Sequence, residues 1–200
     1  MEQSSSRDTT LPLVVRVVGL KKSGKTTVAQ AVIRELVSRG LRVGAVKVTS
    51  HDRLSLDPEG TDTGLLAEAG ASVVLAVLPG QTVRFERTAA RSLEQIAWLY
   101  PTGTDVVVCE GSLPWQGERR TIVCVSAVSD LERTLSIRGL LTEPIAAISG
   151  IGASAASLGE TLPWRGGTVP VVDARSPEGG RALGAIVAPR SGWPGRERSR

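Results

Sequence analysis

The sequence predicts an α/β fold in which a mostly parallel sheet carries helices on both faces. Three observations lead there. Apolar runs of strand length alternate along the chain with segments of helical periodicity. The strand-like runs are near-continuous in Val, Ile, Leu and Ala, as in strands buried on both sides. The first of them passes through a glycine-rich turn straight into an amphipathic helix. In such sheets ligands bind at the carboxyl ends of the strands, so the residues that follow each strand are where function is sought.

Taken in order, residues 13–18 form a β-branched run bounded by Pro12 and Gly19 and read as a buried strand. Residues 25–39 read as a helix, because Val28, Val32, Ile33, Leu36 and Val37 share one face and Gly40 stops it. A strand is expected at 41–48, a polar loop at 49–63 and a short helix at 64–69, ended by Gly70. Residues 72–78 and 82–86 read as strands around a Pro-Gly-Gln turn, and 89–99 as a helix. Strands follow at 105–109 and 120–125, a short helix at 129–135, strands at 144–148 and 169–172, and a last helix at 177–183.

The length of 200 residues suits one domain, placed at 11–188. The polar residues 1–10 and the basic residues 189–200 are expected to be disordered. Aromatics make up only 3% of the chain, so aliphatic side chains must build the core. Cys109 and Cys124 lie in apolar runs at a spacing that matches no metal motif, and read as reduced core thiols rather than a disulfide. No run is long enough for a membrane span and no signal peptide is evident, so a cytoplasmic protein is expected. The net charge of +4 suits an anionic partner such as a nucleotide and is too mild and scattered for nucleic acid.

Against twenty arginines the chain has four lysines, and three of them, Lys21, Lys22 and Lys25, occupy one turn. That turn, residues 19–26, reads G-x-x-x-x-G-K-T, the phosphate-binding loop pattern. Its glycines let backbone N–H groups cradle phosphate oxygens, and the helix that follows points its positive end at the anion. Gly19, Lys22, Ser23, Gly24, Lys25, Thr26 and Thr27 are the candidate nucleotide-binding residues, with Lys25 reaching the β and γ phosphates and Thr26 placing its hydroxyl on Mg²⁺. The second element is "DVVVCEG", residues 105–111: an apolar run ending in an acid that would hold Mg²⁺ or its water shell. Glu110 is that acid, and Asp105, at the other end of the strand, reads as structural. The third element, residues 46–71, carries Lys47, His51, Asp52, Asp57, Glu59 and Asp62. Asp62 is the candidate to orient water or make a second metal contact. Lys47, His51 and Asp52 form a candidate ligand or partner loop. The alternative for the segment is an acidic solvated loop.

These elements resemble the molybdopterin-guanine dinucleotide biosynthesis protein B (MobB) family of P-loop GTP-binding proteins. The resemblance rests on "VVGLKKSGKTT" at 17–27, "RGLRVGAVKVTSHD" at 39–52, "DPEGTDTGLLAEAGA" at 57–71 and "DVVVCEG" at 105–111. It implies a P-loop NTPase fold and a GTP-binding, weakly hydrolysing accessory protein, often a homodimer. Such a protein assists guanine nucleotide attachment to molybdopterin beside the guanylyltransferase of the pathway. Val48 and Ser50 stand where the family usually has histidines, and residues 112–200 carry no family motif. No base-reading N/T-K-x-D motif is present, so GTP over ATP rests on resemblance alone.

Two other readings share the phosphate loop. A small-molecule kinase using ATP needs arginines that neutralise transfer charge, for which Arg84, Arg87, Arg91, Arg119 and Arg120 are available. A metal-insertion GTPase needs clustered His or Cys ligands, and one histidine with two cysteines in separate runs argues against it.

Overall fold

The computed structural model describes residues 12–49, 62–86, 91–97, 99–101, 103–150 and 161–189. They group into two compact units, one made of residues up to 48 with those from 92 onward, the other of residues 49–91.

The first unit is built on a five-stranded sheet in the order β2-β5-β1-β6-β7. The strands are β1 (Leu13–Gly19), β2 (Val43–Lys47), β5 (Val106–Glu110), β6 (Arg119–Cys124) and β7 (Ala147–Ser149). Every pairing within it is parallel. Val171 extends the sheet by a parallel bridge to Ile148. β1 sits in the middle, and all seven of its residues are buried, which is why its sequence lacks alternation.

Side chains of β1 point alternately to the two faces. Leu13, Val15 and Val17 join α1 (Lys25–Ser38) and α5 (Pro177–Val187) in one apolar cluster, with Val32, Leu36, Leu183 and Val187 among its buried members. Full burial of each such side chain contributes about 1.5–3 kcal/mol. α1 ends in a left-handed glycine: the N–H of Gly40, at φ 77°, reaches the Val37 carbonyl and that of Leu41 the Leu36 carbonyl. α5 starts at Ser176, whose hydroxyl accepts from the Gly179 N–H, with Pro177 in the first turn.

The opposite face carries two smaller clusters. Val18, Val123, Val125 and Ile148 pack with Leu135 of α4 (Leu131–Ile137) and with Leu140. Val14, Val107 and Cys109 pack with Leu93, Trp115 and Ile96 of α3 (Glu94–Ala97). Arg16 lies between them on β1, 5% exposed. It donates to Thr121 Oγ1 at 2.8 Å and pairs with Glu143. The expected parallel sheet with helices on both faces is the observed one.

The second unit contains α2 (Asp62–Glu68) and an antiparallel hairpin of β3 (Val73–Leu78) and β4 (Gln81–Glu86).

Several element bounds differ from expectation. Asp62, expected in a loop, opens α2. The helix expected at 89–99 is confined to Glu94–Ala97 among the described residues. A hairpin of β8 (Thr161–Trp164) and β9 (Gly167–Pro170) turns at Arg165-Gly166, where only a strand at 169–172 was expected. Arg165 and Gly166 both have positive φ, 48° and 80°, as a two-residue hairpin turn requires. Both cysteines are free and buried, as the sequence suggested. Among the described residues no helix is long and apolar enough to cross a membrane.

Candidate nucleotide-binding site

Sheet register gathers the site along one edge. Val17 pairs with Glu110, Lys47 with Glu110, and Gly19 with Cys124. The ends of β2, β5, β1 and β6 are therefore neighbours, and the loop from Gly19 into α1 rises between β5 and β6.

Close packing explains the glycines of that loop. A Cβ on Gly19 would stand 2.4 Å from the Cys124 carbonyl oxygen and 2.5 Å from Ser23 Oγ. Gly24 caps α1 from the left-handed region, at φ 86°, ψ 15°. Lys22 is held there too, at φ 64°, a conformation unusual for a side chain with a Cβ. Ser23 is buried and donates to the Leu20 carbonyl at 2.9 Å, which braces the turn from inside. The first bond of the α1 ladder runs from the Val28 N–H to the Gly24 carbonyl, 3.0 Å. The N–H groups of Lys25, Thr26 and Thr27 thus precede the ladder. The first turn contains no acid, and no side chain caps it. Such a helix end is built to accept an anion.

Lys25 curls over the loop and donates to the Leu20 carbonyl at 2.6 Å. Burial holds its ammonium below its ordinary pKa, and the next cause is repulsion from the Arg138 guanidinium. Glu110 ends β5, one residue later than the strand end expected from the sequence. One of its carboxylate oxygens accepts from Thr26 Oγ1 at 2.9 Å, and the other from Lys47 Nζ at 3.3 Å. After it, Gly111 turns at φ 114°, where a Cβ would lie 2.8 Å from Val48 Cβ.

Gly19, Lys22, Ser23, Gly24, Lys25, Thr26, Thr27, Glu110 and Lys47 therefore share this edge. His51 and Asp52 lie outside the described residues. Asp62 begins α2 of the second unit, and its side chain is likewise outside the described residues. Asp105 accepts from the Arg42 N–H at 2.7 Å at the far end of β5. Trp115 is buried and donates to the Glu118 carbonyl, so it is a packed anchor. Gly150 was not singled out by the sequence reading. At φ 114°, its Cβ position lies 2.5 Å from the Ser23 carbonyl and 2.6 Å from that of Val125, so the end of β7 buttresses the phosphate loop. A glycine directly after a late apolar run was the signal.

Among the described residues no group of three or more His, Cys, Asp or Glu could hold a metal ion. The Thr26 hydroxyl and Glu110 carboxylate are instead a pair of hard oxygen donors, suited to Mg²⁺ shared with phosphate oxygens.

The family model described as molybdopterin guanine dinucleotide synthesis protein B matches residues 14–133, the span that holds the loop, Lys47 and Glu110. The chain belongs to this family. A molybdopterin-guanine dinucleotide biosynthesis adapter protein of Haemophilus influenzae is 37% identical over 97 residues, 48% of this chain and 54% of that one. A putative adapter protein of the same description from Methanocaldococcus jannaschii is 33% identical over 99 residues, 49% of this chain and 40% of its own. The chain thus spans about half the length of the curated relatives it matches. The fold is similar to the crystal structure of Bacillus subtilis MobB, with a TM-score of 0.59 at 22% identity, over 90% of this chain and 99% of that one. A MobB homolog from Bacillus stearothermophilus gives 0.52 at 24% identity, over 81% and 88%.

Proposed function

We propose that this chain is a nucleoside-triphosphate-binding adapter in molybdopterin guanine dinucleotide biosynthesis, using GTP with Mg²⁺ and hydrolysing it slowly. The observation that carries the reading is the junction of the phosphate loop with Glu110 through Thr26, 2.9 Å across. Family membership and the adapter description of the relatives support the pathway. In this reading Lys25 exchanges the Leu20 carbonyl for phosphate oxygens, and the free N–H groups of the α1 turn complete the cradle. Thr26 and Glu110 hold the ion. When bound, Mg²⁺ offsets charge on the phosphates. The role of Asp62 in orienting water, and of Lys47, His51 and Asp52 in meeting a ligand or partner, rests on the sequence alone. Residues 11–188 serve as one P-loop domain of a cytoplasmic protein whose partners are molybdopterin or its guanylyltransferase.

Of the arginines nominated for a kinase reading, Arg84, Arg119 and Arg120 have partners elsewhere, and Arg87 lies outside the described residues. Arg119 faces Glu143 and the Trp115 carbonyl, Arg120 bonds the Ile186 and Ala188 carbonyls, and Arg84 pairs with Glu86. This favours the adapter over an ATP-dependent kinase. The test is a titration with GTP, ATP and molybdopterin in the presence of Mg²⁺. Selective GTP binding together with pterin binding is expected. ATP preference without pterin binding would overturn the adapter reading and keep only the phosphate loop.

A further inference from the structure

The sequence marks Lys47 only as the start of a ligand or partner loop, but the structure gives it a definite neighbour. β2, β5 and β1 run parallel with Lys47, Glu110 and Val17 in register. In-register side chains of parallel strands share a face, and Val17 belongs to the cluster under α1. Lys47 and Glu110 therefore project on the α1 side, where the phosphate loop enters its helix. The backbone there is pinned. The Val48 N–H donates to the Glu110 carbonyl at 2.9 Å, and the Gly111 N–H to the Val17 carbonyl at 3.0 Å. The Lys47 side chain is looser, 55% exposed, and rests on Glu110 Oε1 at 3.3 Å.

Glu110 thus has two partners of different kinds. Its Oε2 accepts from Thr26 Oγ1 at 2.9 Å and its Oε1 from Lys47 Nζ. A hydroxyl donates and accepts, so Thr26 can turn a lone pair toward an ion and stay. An ammonium has three donors and no lone pair, so Lys47 cannot ligate that ion and is repelled by it. On one carboxylate the two cations compete, and an ion pair this wet costs little to open. A metal ion carried on a triphosphate bridges its β and γ oxygens. The outer end of the phosphate chain is then brought beside the carboxylate that Lys47 leaves. The flexible four-carbon stem lets the ammonium follow it.

We propose that Lys47 is a terminal-phosphate contact of the nucleoside-triphosphate site, which neutralises Glu110 in the free protein and transfers to the γ-phosphate when Glu110 receives the ion. This deepens the proposed function and rests on it. The bland alternative is a surface ion pair that only shields Glu110. The two differ in sign. A shield competes with the ion, so its removal leaves Mg²⁺-dependent nucleotide binding unchanged or tightens it. Removal of a phosphate contact weakens binding, and does so for the triphosphate above the diphosphate.

The experiment titrates the full chain and Lys47→Met, which keeps the bulk of the stem and loses the charge, with GTP and with GDP in the presence of Mg²⁺. Lys47→Met is expected to weaken GTP binding by about 5- to 50-fold, the range of a charge-assisted contact, and GDP binding by less than about threefold. Lys47→Arg, which keeps the charge, recovers part of the loss. GTP affinity unchanged or tightened in Lys47→Met would overturn the proposal, as would an equal loss for GTP and GDP. Lys25→Ala separates the two levels of inference. If wild type binds GTP and Lys25→Ala does not, while Lys47→Met matches wild type, only the role of Lys47 falls. If wild type binds no nucleotide, the function and this proposal fall together.

Discussion

Replacing Glu110 by Gln separates the site from the scaffold. In the free protein the Glu110 side chain is 15% exposed and that of Lys47 is 55% exposed, with 3.3 Å between them. A pair wetted to that degree contributes about 0–1 kcal/mol. The Thr26 hydroxyl, at 2.9 Å, keeps its acceptor when the carboxylate becomes an amide. Both terms are small, so the variant should unfold within about 1 kcal/mol of wild type, a shift of less than about 4 °C. Binding should respond differently. A carboxylate that orients an ion or its water shell typically carries a 10- to 100-fold effect on metal affinity, about 1.4–2.7 kcal/mol. Calorimetric titration of GTP with Mg²⁺ and again with excess chelator reads this directly. The expected result is a 10- to 100-fold loss with Mg²⁺ and little change without it. An equal loss under both conditions, or an undiminished response to Mg²⁺, would refute the metal role of Glu110.

Three further outcomes are expected. Gly150→Ala forces a Cβ within 2.5 Å of one backbone oxygen and 2.6 Å of another, at φ 114°. It should cost about 2–4 kcal/mol from overpacking and backbone strain together. A melting temperature within about 2 °C of wild type would show that the loop yields freely. Burial pushes the thiol of Cys109 up to about 11 and that of Cys124 to about 12 from 9.0. The stability of the protonated thiols is fully present below pH 9 and lost toward 11 and 12, as the unfolded chain sheds those protons first, by about 1.4 kcal/mol per pH unit for each thiol. The Lys25 shift has the opposite sign: its folded pKa lies below 10.5, so its penalty is relieved as pH rises through that window. Urea unfolding of wild type and Cys109→Ala across pH 8.5–11 should show the shallower fall in the variant. Finally, the family resemblance predicts a homodimer, and the β3–β4 hairpin exposes the apolar Leu75 and Val77 by 57% and 79%. Light scattering should give the mass of two chains, and the mass of one would remove the dimer.

The parallel sheet was legible because its strands are apolar on both faces, so β1 and β5 announce themselves by composition alone. Boundaries were less so. Glu110 belongs to β5 although a charged residue looks like the start of a loop, because its strand partners Val17 and Lys47 continue the ladder to that level. The β8–β9 hairpin escaped because its turn is Arg165-Gly166, where an arginine takes the conformation usually left to Asn, Asp or Gly. Asp62 looked like a loop acid because the glycine two residues after it suggested a later helix start; α2 includes that glycine.

The site divides along the same line. The phosphate loop is a contiguous signal whose physics is local: glycines where backbones meet, a lysine and a hydroxyl at a helix start. Glu110 could be placed because the end of an apolar strand is also local. Gly150 is not local, for it acquires meaning only when β6 and β7 are laid beside β1. Lys25 and Lys47 stand at the site's edge with Glu110 as the opposing carboxylate, and burial holds Lys25 below its ordinary basicity. Lys47 and Glu110 already satisfy one another. What remains is an excess of positive charge at a helix end with unpaired N–H groups, a free-state tension that a polyanion relieves and a neutral ligand does not. Affinity that rises with ligand charge is therefore a property of the edge as a whole.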